Sequence, residues 1–163
     1  MAGAVRKAVH QLKYHRDLAL AETLAGALLL LVREMEWRVD VVLPVPLGKA
    51  RHRERGYNQA ALLAFPLALG LGVPYAGGAL VRTRETRSQV NLSAEARRRN
   101  VAGAFGVARP AAVAGKAVLL VDDVMTTGAT LDAASAALKS SGARRVFAVT
   151  VARAVLRRVE APS

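Results

Sequence analysis

The sequence predicts an α/β domain, a mostly parallel twisted sheet flanked by helices. Apolar runs at residues 39–43, 75–82, 118–121 and 146–151 alternate with stretches of helical periodicity, the pattern of strands joined by helical crossovers. The run Val118, Leu119, Leu120 and Val121 has no polar interruption, as suits a strand buried on both faces. At 163 residues, with no internal repeat and no linker, the chain reads as a single domain spanning 1–163. Within it, 4–37 form N-terminal helices, 38–153 the core and 154–163 a basic tail.

Composition narrows the partners. Lys and Arg number 24 against 12 acids, a formal charge of +12, so the chain attracts polyanions. The absence of cysteine excludes disulfides, thiolate metal sites and a cysteine nucleophile. The longest uncharged apolar run, residues 23–32, is too short to span a bilayer, and the N-terminus lacks the features of a signal peptide. A soluble, cytoplasmic protein is expected.

In chain order, residues 4–16 carry Val5, Ala8, Val9 and Leu12 at helical spacing among Arg6, Lys7, Lys13 and Arg16, which predicts a short basic amphipathic helix. A second helix starts near Asp17, whose side chain can cap it, with an apolar face through Leu18, Ala21, Leu24, Ala25, Leu28, Val32 and Met35. The strand at 39–43 is ended by Pro44 and Pro46, since neither donates to a sheet ladder. The loop after it, residues 45–56, holds Lys49, Arg51, Arg53 and Arg55. Ligands bind at the carboxyl ends of strands in open α/β sheets, so this loop could hold a pyrophosphate; otherwise it is a solvated run.

Residues 57–69 read as a helix with Asn58 near its start and Pro66 kinking or ending it. Residues 75–82 give a weak strand, and 82–93 a polar, mobile loop. Ser93 begins a short helix, 94–100, with Arg97, Arg98 and Arg99 in sequence. Three consecutive side chains on a helix diverge, so at most one or two serve a single ligand. An edge strand at 104–107 and a Pro/Gly/Ala turn at 109–115 precede the central strand. After it comes an alanine-rich helix stopped by Gly142, the last strand at 146–151, and a basic tail.

The chemistry concentrates in Val118 to Thr130, VLLVDDVMTTGAT. A buried strand runs into a turn holding Asp122 and Asp123, then Thr126, Thr127 and Gly128, with Thr130 at a helix start. Amides of residues 126–130 would face outward where the helix dipole favours an anion, Gly128 permits close backbone approach, and the hydroxyls add short donors. That suits a phosphate. Carboxylates repel phosphate, so Asp122 and Asp123 would accept from a sugar diol or hold a hydrated cation brought by the ligand. Singly, such residues cap helices or end strands, but a plain βα turn requires no such ordered set. The Walker phosphate loop is absent, and Gly70-Leu71-Gly72 lacks the third glycine of a dinucleotide fingerprint.

This thirteen-residue pattern resembles the phosphoribosyl pyrophosphate (PRPP) motif of type I phosphoribosyltransferases. The resemblance implies that fold and assigns the ribose hydroxyls to Asp122 and Asp123, as the catalytic pair, and the 5′-phosphate to Thr126, Thr127, Gly128, Ala129 and Thr130. Further stretches are similar to the competence protein ComF family: Leu12-Lys13-Tyr14, Pro44-Val45-Pro46-Leu47, Arg55-Gly56-Tyr57-Asn58-Gln59, and Arg82-Thr83-Arg84 with Thr86, Gln89, Leu92, Ser93, Arg98 and Asn100. That family implies a pyrophosphate loop at Val45, Pro46, Leu47 and Arg55, and a flexible loop carrying Arg82, Arg84, Thr86 and Gln89. It also implies a link to DNA uptake in natural transformation. Many members carry an N-terminal cysteine-rich zinc ribbon, which this sequence lacks.

Three functions follow as expectations. In the first, an enzyme binds PRPP with magnesium, carried by the ligand and touched by the Asp pair only through water, so no direct protein metal ligand is expected. Lys49, Arg51, Arg53 or Arg55 would steady the departing pyrophosphate, and the loop from Arg84 to Gln89 would close over the site. In the second, a binding module contacts single-stranded DNA or competence proteins, although 4% aromatic residues argue against a stacking platform. In the third, PRPP serves only as an effector. A homodimer is compatible with each. His10, His15 and His52 sit in no recognisable catalytic arrangement. The segment 4–16 is the only candidate hood for an acceptor, whose identity the residues leave open.

Overall fold

A computed structural model of the chain describes residues 3–86 and 93–154. The elements run α1 (Gly3–Tyr14), α2 (Leu18–Glu34), β1 (Val41–Pro44), α3 (Lys49–Arg55), α4 (Gln59–Leu71), β2 (Leu80–Arg82), α5 (Ala94–Val101), β3 (Phe105–Val107), β4 (Ala117–Met125), α6 (Ala129–Ser140) and β5 (Arg145–Arg153). The core is a parallel sheet in the order β1-β4-β5. The α/β class with a parallel sheet flanked by helices is therefore correct. The 75–82 segment is not a full member of that sheet. Only Tyr75 bridges to Val42, while β2 pairs antiparallel with β3 in a separate ribbon.

Strand β4 organises the packing. Its alternate residues Val118 and Leu120 face one core with Val41, Leu43, Phe105, Leu131 and Leu138. Leu119 and Val121 face the other, with Val42, Leu12, Leu28, Val32, Leu63 and Leu67. The period of two along a strand thus feeds two helical layers from one uninterrupted apolar run.

Local rules account for most boundaries. The Asp17 side chain accepts the Leu20 N–H at 2.9 Å and caps α2. On that helix Ala21, Ala25, Leu28 and Val32 are buried, but Leu18 and Met35 are 55% and 50% exposed, because they stand at its two ends. Pro66 does not end α4, which runs on to Leu71. The helix buries Leu63 and Ala64 before the proline and Leu67 and Ala68 after it, which offsets a penalty of about 3 kcal/mol for an interior proline.

Pro44 does not end β1 either; it pairs with Val121. Val42, of the same parity, turns its N–H outward to the Pro74 carbonyl, so the N–H that Pro44 lacks would lie on the outer edge of the sheet. The basic segment expected as a loop contains a seven-residue helix, α3, closed by Gly56 at φ 74°.

Candidate functional site

Strand β4 does not stop at Val121. Its ladder with β5 continues through Asp122 opposite Thr150 to Met125 opposite Arg153, so the two acids are strand residues rather than loop residues. Alternation then sends them to opposite faces. Asp122 shares its parity with Leu120 and Asp123 with Val121. Each carboxylate is held by the next backbone N–H: Asp122 Oδ1 accepts from Asp123 and Asp123 Oδ1 from Val124, both at 2.9 Å.

Asp123 is 5% exposed. Its Oδ2 lies 3.0 Å from Lys13 Nζ at the end of α1. Burial first, and then the adjacent Asp123 charge, pushes the Asp122 carboxyl well above the usual carboxylate range, with Lys13 opposing as a smaller influence. The pair therefore favours one negative charge over two.

Beyond Met125 the chain turns through Thr126 and Thr127 into Gly128, whose φ of 82° is left-handed and suits glycine. Gly128 is the N-cap of α6 and supplies no side-chain cap, while the Ala129 N–H donates weakly to Thr127 Oγ1 at 3.4 Å. The first turn of α6 thereby opens toward the acids. Acids and turn line one cleft of about 490 Å³, together with Val45, Pro46, Leu47, Arg55 and Arg82. The expected phosphate and pyrophosphate segments are thus brought together.

The helical form of α3 decides which of its cations reach the cleft. Arg51 and Arg55, four residues apart, share a face and line it, whereas Arg53 is exposed and Lys49 faces a neighbouring hollow. Similarly, Arg97 is buried and lines the cleft while Arg98 and Arg99 point elsewhere, Arg99 pairing with Glu95. Lys13, Gln59 and Arg97 are cleft residues that the sequence did not single out as site residues. For Arg97 the signal was the basic triplet, and for Gln59 its place in the Arg-Gly-Tyr-Asn-Gln segment; Lys13 carried none beyond a basic helix.

Of the expected flexible loop, Arg82 lines the cleft, lies 4.9 Å over the Phe105 ring and donates to Thr86 Oγ1 at 2.5 Å. Burial is the main influence lowering its pKa, with the Arg51 charge next. Arg84 is outside the cleft lining and donates to the Ala102 carbonyl at 2.7 Å. Thr86 is also outside the lining and reaches the cleft only through Arg82. Glu85 accepts from the Lys49 N–H at 2.6 Å, packing this segment against the start of α3 over Gly48. Gln89 falls outside the described residues.

The Arg-Gly-Tyr-Asn-Gln segment is a joint. Arg55 donates to Gln59 at 2.9 Å and lies 5.5 Å over the Tyr14 ring. Tyr57 donates its hydroxyl to the Leu12 carbonyl at 2.8 Å and accepts from the Arg16 N–H at 3.0 Å. Asn58 caps α4 through the Ala60 N–H and donates to the Val45 carbonyl at 2.9 Å. Five residues thus bind the cleft wall, α4 and the N-terminal helix into one unit.

Comparison with known proteins agrees with this arrangement. Residues 57–161 match the family described as phosphoribosyl transferase domain. The chain is 40% identical over 143 residues to the DNA utilization protein YhgH of Escherichia coli O157:H7, covering 85% of this chain and 62% of that protein. It is 35% identical over 152 residues to Competence protein F of Haemophilus influenzae, covering 90% of this chain and 66% of the other. The chain thus spans about two thirds of the length of these relatives. Among solved structures, an adenine phosphoribosyltransferase of Saccharomyces cerevisiae superposes with a TM-score of 0.56 at 20% identity, over 86% of this chain and 72% of that one, a likeness of fold. With its parallel sheet, its acid pair at the end of β4 and its threonine and glycine turn, the chain belongs to the phosphoribosyl transferase domain family and, within it, to the ComF group.

Proposed function

We propose that the cleft binds PRPP with magnesium and transfers or recognises its 5-phosphoribosyl group. The observation that carries this reading is one cleft in which two acids and an open helix start are ringed by Lys13, Arg51, Arg55, Arg82 and Arg97. A sugar diol suits Asp122 and Asp123, the 5′-phosphate suits residues 126–130, and the pyrophosphate suits the wall of Val45, Pro46, Leu47, Arg51 and Arg55.

Among the described residues no three His, Asp or Glu side chains cluster for a metal. Two carboxylates beside a polyphosphate nevertheless suit magnesium, which binds through one or two carboxylates plus substrate oxygens. Asp122 and Asp123 would hold it through water, and when bound it neutralises phosphate charge.

In the transfer reaction the bond from the anomeric carbon to the pyrophosphate oxygen breaks and a bond to an acceptor nitrogen forms. The protein's part is positioning and electrostatics. The acids fix the ribose and favour the positive charge that develops on it, while Arg51 and Arg55 stabilise the leaving pyrophosphate. The hood over the cleft is the last turn of α1. Segment 83–86, already packed on α3, is the base from which closure would exclude water.

The test is calorimetric titration of PRPP with magnesium into the protein and into an Asp122→Asn, Asp123→Asn double variant. Saturable binding that the variant loses is expected, followed by a screen of bases and amines for pyrophosphate release. No binding to the unsubstituted protein would end both the enzyme and the effector readings.

A second reading, a basic module contacting single-stranded DNA or a competence protein, is favoured by the +12 charge and by Arg53, Arg98 and Arg99 exposed outside the cleft. It predicts DNA binding that weakens steeply with salt. Among the described residues no helix is long and apolar enough to cross a membrane, and the proposed place of action is the cytoplasm.

A further inference from the structure

Both oxygens of the buried Asp123 carboxylate already face a donor. Oδ1 accepts from the Val124 N–H at 2.9 Å, and Oδ2, which receives no hydrogen bond among the described residues, faces Lys13 Nζ at 3.0 Å. A diol that reaches Oδ2 must compete with the ammonium for it.

Lys13 is also not an isolated side chain. Its neighbour Leu12 is fully buried and gives its carbonyl to Tyr57, Tyr14 lies under Arg55, and the Arg16 N–H donates to the same Tyr57 hydroxyl. The end of α1 and the residues just after it are thus fastened at four points around the cleft. Lys13 reaches a carboxylate that the diol needs, Tyr14 lies against Arg55 on the pyrophosphate wall, and the two contacts to Tyr57 are made to the joint between α3 and α4.

We infer that Lys13 is a displaceable counter-ion on Asp123, so that a vicinal diol reaching the acid pair detaches it and loosens the last turn of α1. The N-terminal helix then senses the sugar as well as roofing the cleft. The inference rests on the reading of Asp122 and Asp123 as diol acceptors. Lys13 acts here as a positioning residue, setting how much free energy the diol must spend before it contributes to binding. A phosphate alone, held at residues 126–130, has no reason to move it.

The experiment compares ribose 5-phosphate, 2-deoxyribose 5-phosphate and inorganic phosphate on the full chain, in unsubstituted, Lys13→Met and Lys13→Arg forms. With the competitor gone, the preference for the ribo over the deoxy sugar should rise about fivefold in Lys13→Met, a typical coupling between groups in contact. Lys13→Arg should restore the original preference, and circular dichroism with a cooperative thermal transition serves as the check that each variant is folded. Hydrogen exchange in residues 8–14 of the unsubstituted chain should quicken with ribose 5-phosphate and not with the deoxy sugar.

An unchanged preference, or unchanged exchange, with both sugars binding would overturn the inference and leave the site reading standing. Failure of both sugar phosphates to bind any form would overturn the site reading and this inference with it.

Discussion

Asp122 and Asp123 are adjacent in the chain and chemically identical, yet they occupy opposite sides of the same strand. Asp122 continues the row of Val118 and Leu120, toward α6 and the β2-β3 ribbon, where the Arg82 charge is felt. Asp123 continues the row of Leu119 and Val121, toward α4 and α1, and meets Lys13 directly. One is a half-buried carboxyl whose charge is disfavoured; the other is buried, with an ammonium at 3.0 Å. Paired acids in a motif are therefore not equivalent. The period of two assigns each to its own layer, and the layer decides which groups it meets. A third acid at the other end of β4 completes the contrast: Asp40 is exposed, accepts the Ala117 N–H at 2.7 Å and pairs with Arg144 at 3.0 Å.

The strongest challenge to a two-layer reading is to empty each layer in turn. Leu119→Ala and Leu120→Ala remove fully buried side chains on opposite faces, and each should cost about 3 kcal/mol in denaturant unfolding. A loss well below that on one face would show that β4 is not equally packed on both.

Next in size is the ion pair. The side chains of Lys13 and Asp123 are 26% and 7% exposed, so either Lys13→Met or Asp123→Asn should cost about 1–2 kcal/mol, discounted for the partly exposed ammonium. The double variant should cost clearly less than the sum, because removing both partners leaves no unpaired buried charge; simple additivity in a double-mutant cycle would mean the contact is not energetically coupled.

A smaller effect of opposite sign is expected at the neighbouring acid. Because its folded pKa is raised, Asp122 takes up protons on folding, so its unfavourable contribution grows as pH rises from the ordinary carboxylate range through the raised value. Asp122→Asn should therefore stabilise the ligand-free protein at neutral and alkaline pH, with the gain shrinking to nothing in acid. Melting temperatures of the two proteins across pH test it, and curves that stay parallel would contradict the assigned environment.

The smallest effect belongs to Asp40, whose carboxyl is held below its usual range first by the Ala117 N–H and then by Arg144. Its contribution is present above the ordinary carboxylate pKa and lost as pH falls through the lowered one. Asp40→Asn should thus lower the unfolding midpoint slightly at neutral pH and not at all in strong acid.

Much of this was legible along the chain, because it is local. The unbroken apolar run of β4, the Asp17, Asn58 and Ser93 caps, and the order of acids, hydroxyls and glycine from Asp122 to Thr130 are each encoded within a few residues. The divergence of Arg97, Arg98 and Arg99 followed from helical geometry alone. Misreadings came where packing outweighed a local rule. Pro44 sits in a strand because its missing N–H falls on the outer edge, Pro66 sits in a helix buried on either side of it, and residues 49–55 form a helix although they lack an apolar stripe.

The sequence by itself determined the class of the fold, the family and the chemistry available at the end of β4, since periodicity and turn residues act over short distances. Only the tertiary structure decided which cations face that chemistry and which acid meets the ammonium. Lys13 and Asp123 stand far apart in the chain and meet because α1 is pinned to the joint at Tyr57. A contact of that kind depends on how whole layers pack, and no local stretch of residues encodes it.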